Sequence, residues 1–420
     1  MTITYINTVA TSKYWTFLRL LLRWKGSIYK IIWFEMIVFA TLYTGLSCLY
    51  RFGLYGIYKK RFEEFCAFSK KNADMIPVPF VLGFYVTLVV SRWWNQFMEI
   101  PWPDSMAIYV STFILGNDDK SVMYRRTIMR YLNLSFCMTF ASISSKAKRM
   151  FPDLKTLIEN GLLTKDEEKI LNEYETNNAK YFVPALWASN LVYQAESEKM
   201  TIGERGVETL IEEIGKFRGS LGMIYCFDWI NPPLVYTQIA TISVHAYFMI
   251  FVFAEQFISK DKVDVYVPMF GFLQFVFYMG WLKVAESLIN PFGDDDDDFE
   301  IDEMIHRNIK MSYLIIDEMH DSYPELDKDV FWNSNRDIQI IHDYKSPKND
   351  MFAGSLLNLN TDESFLGSKI NIFQNNIFSS IHRYYLNFFT HFFRDDFFLP
   401  RLSLSKHRDN ILIENDLRNP

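Results

Sequence analysis

Four apolar stretches interrupt this 420-residue chain, and a stretch of that kind leaves few folds open. A helix that crosses a bilayer takes roughly 17–25 predominantly apolar residues. The first stretch covers about 31–50 and carries one acid, Glu35. The second, 75–91, is uncharged but short. The third, 232–254, is uncharged and encloses His245, and the fourth, about 265–282, ends against Lys283. Residues 131–143 are apolar too, but too short to span, and read as a buried helix. The expectation is an all-α, polytopic membrane protein with four transmembrane helices and a large helical aqueous region. Composition agrees. Aromatics reach 17%, with 38 Phe, 24 Tyr and 10 Trp. Mean hydropathy is near zero at −0.02, odd for a soluble enzyme and normal for a membrane protein with large aqueous parts.

Flanking charge sets the orientation. Residues 1–34 hold five Lys or Arg and no acid, which places the N-terminus in the cytosol. Four spans then return the C-terminus to the same side, together with the polar blocks 92–231 and 291–420. One segment runs against this rule. The outer loop 51–74 carries Arg51, Lys59, Lys60, Arg61, Lys70 and Lys71 against three acids. No cleavable signal peptide is legible in 1–28, so the first span acts as its own targeting signal. The block 92–231 reads as mostly helical, with helix-like spacing over 154–175 and 206–217 and starts at Asp153 and Thr164.

Several function classes drop out. A net charge of −7 is small for this length, so nothing points to nucleic acid. The four cysteines, Cys48, Cys66, Cys137 and Cys226, show neither metal-ligand spacing nor a disulfide framework, and a Cys48–Cys66 bridge would require both to face outside. No P-loop, GxGxxG, GxSxG or HExxH motif is present, and the histidines do not cluster, which argues against an enzyme.

Residues Asp294 to Asp298 are five consecutive aspartates, directly after a long apolar segment and after Asn290-Pro291 and Gly293. Proline ends a helix and leaves carbonyls free, and the acids place carboxylates beside them. Hard cations such as Ca2+ take several oxygen ligands of both kinds. Two plainer readings stand beside this one: a solvated acidic run, and acids favoured at a helix start near Phe299-Glu300-Ile301. The spacing of an EF-hand is absent.

Ile76, Phe80 and Phe84 recur every four residues and so share one helix face, approximately continued by Thr87 and Leu88. Ordinary helix packing accounts for such a stripe. If several copies set that face around one axis, it makes stacked apolar rings that gate by dewetting, with electropositive ring edges tolerant of an anion. Arg92-Trp93-Trp94-Asn95 suits a membrane interface.

The run Pro79-Phe80-Val81-Leu82-Gly83-Phe84-Tyr85-Val86-Thr87-Leu88, with Arg92-Trp93-Trp94-Asn95, resembles the second span of the bestrophins. So do Ile100-Pro101-Trp102-Pro103-Asp104, Tyr225-Cys226-Phe227-Asp228-Trp229, Pro233-Leu234-Val235-Tyr236-Thr237-Gln238 and Gly280-Trp281-Leu282-Lys283. The resemblance covers about 1–360 and implies a calcium-activated anion channel, conducting chloride and other small anions such as bicarbonate, as a homopentamer around a central pore in the plasma membrane. It implies a neck of Ile76, Phe80 and Phe84. It implies a calcium clasp of backbone oxygens from Ala10, Ser287 and Asn290 with the side chains of Asp295 and Asp298. Ser287 stands where Gln is commoner, and Ala141 where vertebrate members often carry Arg. The family's second, cytosolic constriction falls by counting on Arg205, where an aliphatic residue is typical, with Val207 as the alternative. The bestrophin-type channel is thus expected over 1–362, with the acidic clasp at 287–300 and a C-terminal strap at about 345–362. Residues 363–420 form an unmatched, disordered or interfacial tail. The rival reading is a calcium-binding membrane protein that regulates other channels without conducting, and a third is a carrier of small organic anions.

Overall fold

The computed structural model describes residues 5–9, 20–176, 178–258, 268–329 and 332. Ala10, the expected strap and the tail lie outside the described residues. So do 259–267, the start of the fourth apolar stretch. The described chain is mostly α-helical, and its β pairing there is a single antiparallel bridge, Ile114 to Thr201.

The apolar stretches become helices Ile28–Cys48, Val78–Met98, Leu234–Ala254 and Met269–Leu288. Each starts where the sequence permits. Ser27 caps the first, its hydroxyl accepting from Lys30 N at 3.3 Å. Pro77, Pro233 and Pro268 precede the other three, where a missing N–H costs nothing. The expected boundaries shift: the second helix runs seven residues past Ser91 to Met98, and a π-helical turn, Leu49–Gly53, extends the first. Among the described residues, two helices are long and apolar enough to cross a membrane: Ile28–Gly53 and Leu234–Ala254. The Val78–Met98 helix is diluted by the polar residues Ser91, Arg92, Asn95 and Gln96, and Met269–Leu288 by Lys283 and Glu286.

These four helices share one core. Phe39 stacks on Phe275 with ring centroids 4.6 Å apart and meets Phe248 and Phe272 edge-on. In lipid the hydrophobic effect does not drive helices together, so close packing must, and small residues supply it. Gly280 shows this. A Cβ there would fall 2.2 Å from Ile28 Cδ1 on the first helix. Much of the basic loop folds as the helix Gly56–Asn72, and its charges find partners: Lys70 pairs with Glu255 at 3.1 Å, Lys59 lies over the Tyr50 ring and Arg51, just before that helix, over Phe257. These contacts account for part of the unexpected positive charge. Cys48 is exposed and Cys66 buried, both free, so the bridge between them does not form.

A second core is built around the 25-residue helix Asp119–Ile143, longer than the expected 131–143. It packs against Pro103–Phe113, Phe182–Ser197, Glu204–Trp229 and Ile301–Tyr313. The expected helix over 154–175 is broken into Leu154–Glu159 and Lys165–Glu173. Gly161 turns the chain between them at φ 72°, a conformation glycine adopts freely. Thr164 and Glu167 then form a complete capping box. Glu167 also receives Arg130 at 2.6 and 2.8 Å and the Tyr131 hydroxyl at 2.7 Å. The helix expected over 206–217 runs from Glu204 to Trp229. Arg125, only 2% exposed, donates through Nη1 to the carbonyls of Ile114 and Gly116 at 3.3 and 2.7 Å.

Candidate functional site: an acidic loop wired to an apolar neck helix

The aspartate run is a folded loop, not a solvated tail. Phe292 and Phe299 bracket it and are both buried, 5.7 Å apart. Phe299 N donates to Pro291 O at 2.9 Å, closing the loop on itself. Phe292 packs on Phe140 of the second core, and Phe299 lies 5.4 Å from both Trp93 and Phe97 at the end of the Val78–Met98 helix.

The five acids have different surroundings. Asp294 takes both terminal guanidinium nitrogens of Arg149 at 2.8 and 2.5 Å, and that pairing holds its pKa down to about 2. Asp296 accepts from Lys30 Nζ at 2.5 Å and from Gly26 N at 3.1 Å, contacts that lower its pKa. Asp297 is pushed upward by burial and by its acidic neighbours. Asp298 is 2% exposed, and burial raises it to about 6. Its Oδ2 accepts from Asp295 N at 2.7 Å.

Gly293 is the hinge of this arrangement. A Cβ there would meet Asp298 Oδ2 at 2.8 Å and Asn290 O at 3.6 Å. Asp298 and the Asn290 carbonyl therefore face one small space. Ser287 and Asp295 line an adjoining cavity of about 250 Å³ with Gly26, Ser27 and Lys30. Four of the five residues expected to hold calcium thus lie at the end of the Met269–Leu288 helix and in the loop after it, Asn290 and Asp298 facing the space at Gly293 and Ser287 and Asp295 lining the cavity. The fifth, Ala10, lies outside the described residues. Among the described residues no three His, Cys, Asp or Glu side chains converge as a ready metal cluster. A clasp of two carboxylates plus backbone carbonyls needs no such cluster, and the donors present, all oxygen, suit a hard cation.

Of the three residues expected to form a neck, Phe80 and Phe84 lie on the Val78–Met98 helix and Ile76 precedes it. Phe80 and Phe84 are 67% and 58% exposed and meet edge-on at 4.8 Å, and Ile76 is half-buried just before the helix begins. The opposite face, with Val78, Leu82, Tyr85 and Val89, is buried against the neighbouring helices. Further along the helix, Arg92 donates to the carbonyls of Phe227 and Ile230, the latter at 2.8 Å, at the end of Glu204–Trp229. A cation there meets the negative end of a helix dipole. Arg205 is exposed in the first turn of that same helix, whereas Val207 is 6% exposed and packed into the second core. Sequence reasoning passed over Arg149, Lys30 and Phe299 as parts of this site. Their charge and apolar character were visible, but their proximity depends on pairings 145 to 266 residues apart.

Fold and site together define a helical membrane protein with an oxygen-rich loop at the mouth of its apolar helices. The chain belongs to the bestrophin family: the family model described as "Bestrophin, RFP-TM, chloride channel" matches residues 1–318. Human Bestrophin-3 is 44% identical over 341 residues, covering 80% of this chain and 51% of the relative. Human Bestrophin-2a is 44% identical over 340 residues, covering 80% and 67%, and human Bestrophin-1 is 41% identical over 344 residues, covering 79% and 58%. The chain therefore spans about half to two thirds of the length of these curated relatives. Among solved structures, a mutant of a bacterial bestrophin homolog from Klebsiella pneumoniae aligns at TM-score 0.53 and 15% identity, covering 67% of this chain and 99% of that one. At that identity the likeness concerns the fold alone.

Proposed function

We propose that this protein is a pore-forming anion channel of the plasma membrane, opened by cytosolic Ca2+ and conducting chloride and other small anions. In this reading all four apolar helices span the bilayer, both termini are cytosolic, and five copies surround one pore. The observation that carries it is the Val78–Met98 helix. One face is buried, the other is apolar yet exposed at Phe80 and Phe84, and the far end is packed on the acidic loop through Phe299. An apolar face that its own chain does not cover is what a dewetting constriction requires.

Asp295 and Asp298 would hold the cation by their side chains, with the backbone oxygens of Ser287, Asn290 and Ala10. Bound Ca2+ would supply the positive charge that offsets these crowded carboxylates. The chain does the rest. Drawing the carboxylates together fixes the loop between Phe292 and Phe299. Phe299 then steadies Trp93 and Phe97. Thirteen residues separate Phe97 from Phe84, roughly 20 Å along a rigid helix at about 1.5 Å per residue. A loop with two arrangements would bias the neck between closed and open.

The test is patch-clamp recording from the chain expressed alone, with and without micromolar free Ca2+, comparing wild type with Asp298→Ala. An anion current that needs Ca2+ and weakens in the mutant is expected. One observation favours a second reading, a calcium-binding regulator that does not conduct. Arg205, at the position counted for the cytosolic constriction, is exposed and charged. A surface-expressed wild type without current at any Ca2+ level, and a current restored by Arg205→Ile, would mean that arginine closes the path.

A further inference from the structure

We infer that the pocket between the Ile28–Cys48, Leu234–Ala254 and Met269–Leu288 helices is a site for an uncharged, membrane-dissolved amphiphile, one that carries a hydroxyl on an apolar body. The pocket is a cavity of about 210 Å³. Its floor is aromatic and aliphatic, from Phe39, Phe248, Phe275 and Met279. Its rim, at Phe34, Val38 and Met249, is exposed, so it opens sideways onto the surface that would meet lipid. This rests on the reading of these helices as membrane spans.

Two polar groups interrupt the apolar lining, and both can only accept. Glu35 Oε1 pairs with Lys283 Nζ at 2.9 Å, while Oε2 is shut from solvent and has no hydrogen-bond partner. A buried carboxylate oxygen left unpaired is costly. His245 Nδ1 lies 2.8 Å from Thr241 O, and a carbonyl only accepts. The proton of the neutral ring is therefore on Nδ1, which leaves Nε2 an acceptor. The complementary ligand is a donor.

Charge narrows the class. Lys283 already serves Glu286 at 2.9 Å as well as Glu35, so the cluster carries two acids and one base. An ammonium head would match it electrostatically, but carrying a charge to that depth is expensive. A hydroxyl donates at far lower desolvation cost. The cavity holds the head and the first few carbons, and the remainder of the body lies along Phe34 and Met249. Lys283 stands one helical turn before Ser287, so an occupant that fills the Glu35 site abuts the helix that leads into the acidic loop.

Photolabelling of the full chain in phosphatidylcholine vesicles tests this, read by mass spectrometry of labelled peptides. Five diazirine probes are compared: a sterol with a free hydroxyl, a long-chain alcohol, the methyl ether of each, and a plain hydrocarbon. At least one hydroxyl probe should label segment 34–42 or 248–252. Its ether should label about fivefold less, the factor that one ordinary hydrogen bond contributes. Val38→Trp and Met249→Trp, at exposed positions that tolerate bulk, should abolish that labelling while leaving the hydrocarbon's pattern unchanged. A sterol-only result identifies a rigid ring body, an alcohol-only result a flexible chain, and either supports the site. Equal labelling by the ether, or labelling that survives both Trp variants, overturns it. If the hydrocarbon labels none of the exposed faces of these helices, the membrane reading itself fails, a distinguishable result.

Discussion

At the scale of single residues, identical side chains behave differently because their surroundings differ. Asp294 and Asp298 are four positions apart, yet one is held to about 2 by Arg149 and the other pushed to about 6 by burial. Glu167 is a third case. Burial alone would raise it, but Arg130, Thr164 N and Tyr131 together bring it down to about 2. A carboxyl with a depressed folded pKa contributes stability above its unfolded pKa of about 4.5 and loses it as pH falls towards 2. Unfolding midpoints should therefore drop over that window in wild type, and Glu167→Gln should flatten the slope. At neutral pH the same substitution should cost roughly 3 kcal/mol by chemical denaturation, because Arg130 is left half-buried without its partner. Phe80 has a different role. It contributes little to the fold of one copy, so Phe80→Ala should leave thermal stability nearly unchanged and current flowing after Ca2+ is withdrawn. Retained closure in that mutant would count against the neck as a gate.

Elements show which patterns were legible in the sequence. The four-residue spacing of Phe80 and Phe84 marked one face, and the structure leaves that face exposed. Periodicity is a local property, so it survives without knowledge of the fold. The helix expected across 154–175 failed for an equally local reason. Asn160-Gly161 is a turn signal that the surrounding apolar spacing outweighed. The reach of the Glu204–Trp229 helix was also underread: the alternation of apolar and charged residues legible over 206–217 gives way beyond it to a mostly uncharged run. The aspartate run was visible as composition, but its division between Arg149, Lys30 and a buried pocket was not. Those partners come from elements remote in sequence. In the sequence Gly293 is no more than the residue before the acids, whereas the space beside it holds an Asp298 oxygen. Gly293→Ala should push that carboxylate aside and raise the free Ca2+ needed for half-maximal current about tenfold or more, a shift of about 1.4 kcal/mol. An unchanged Ca2+ dependence in excised patches would remove the loop from the mechanism.

At the scale of the whole molecule, one apolar face of a single copy stays uncovered. The exposed large apolar residues Phe80, Phe84, Trp94 and Met98 share the side of the Val78–Met98 helix opposite its buried face. A groove of about 610 Å³ runs beside it, lined by Gly83, Val86, Phe277 and Trp281. In the proposed channel this face lines the water-filled path, which lipid cannot cover, so that reading requires copies to meet around it. Native mass spectrometry of the purified chain in a mild detergent should give a single assembly of five subunits. A monomer that still conducts after reconstitution would contradict the central-pore arrangement.

The contact of Asp296 with Gly26 and Lys30 bears on how the chain is made. It joins positions 270 and 266 residues apart. The first apolar helix emerges long before its acidic partner exists, and at about 5–20 residues per second the wait is tens of seconds. During that interval Lys30 has no counter-charge from the loop, while the Ser27 cap of the first helix is already in place. Assembly of the clasp is thus a late event of biogenesis, available only once nearly the whole helical unit has been synthesised.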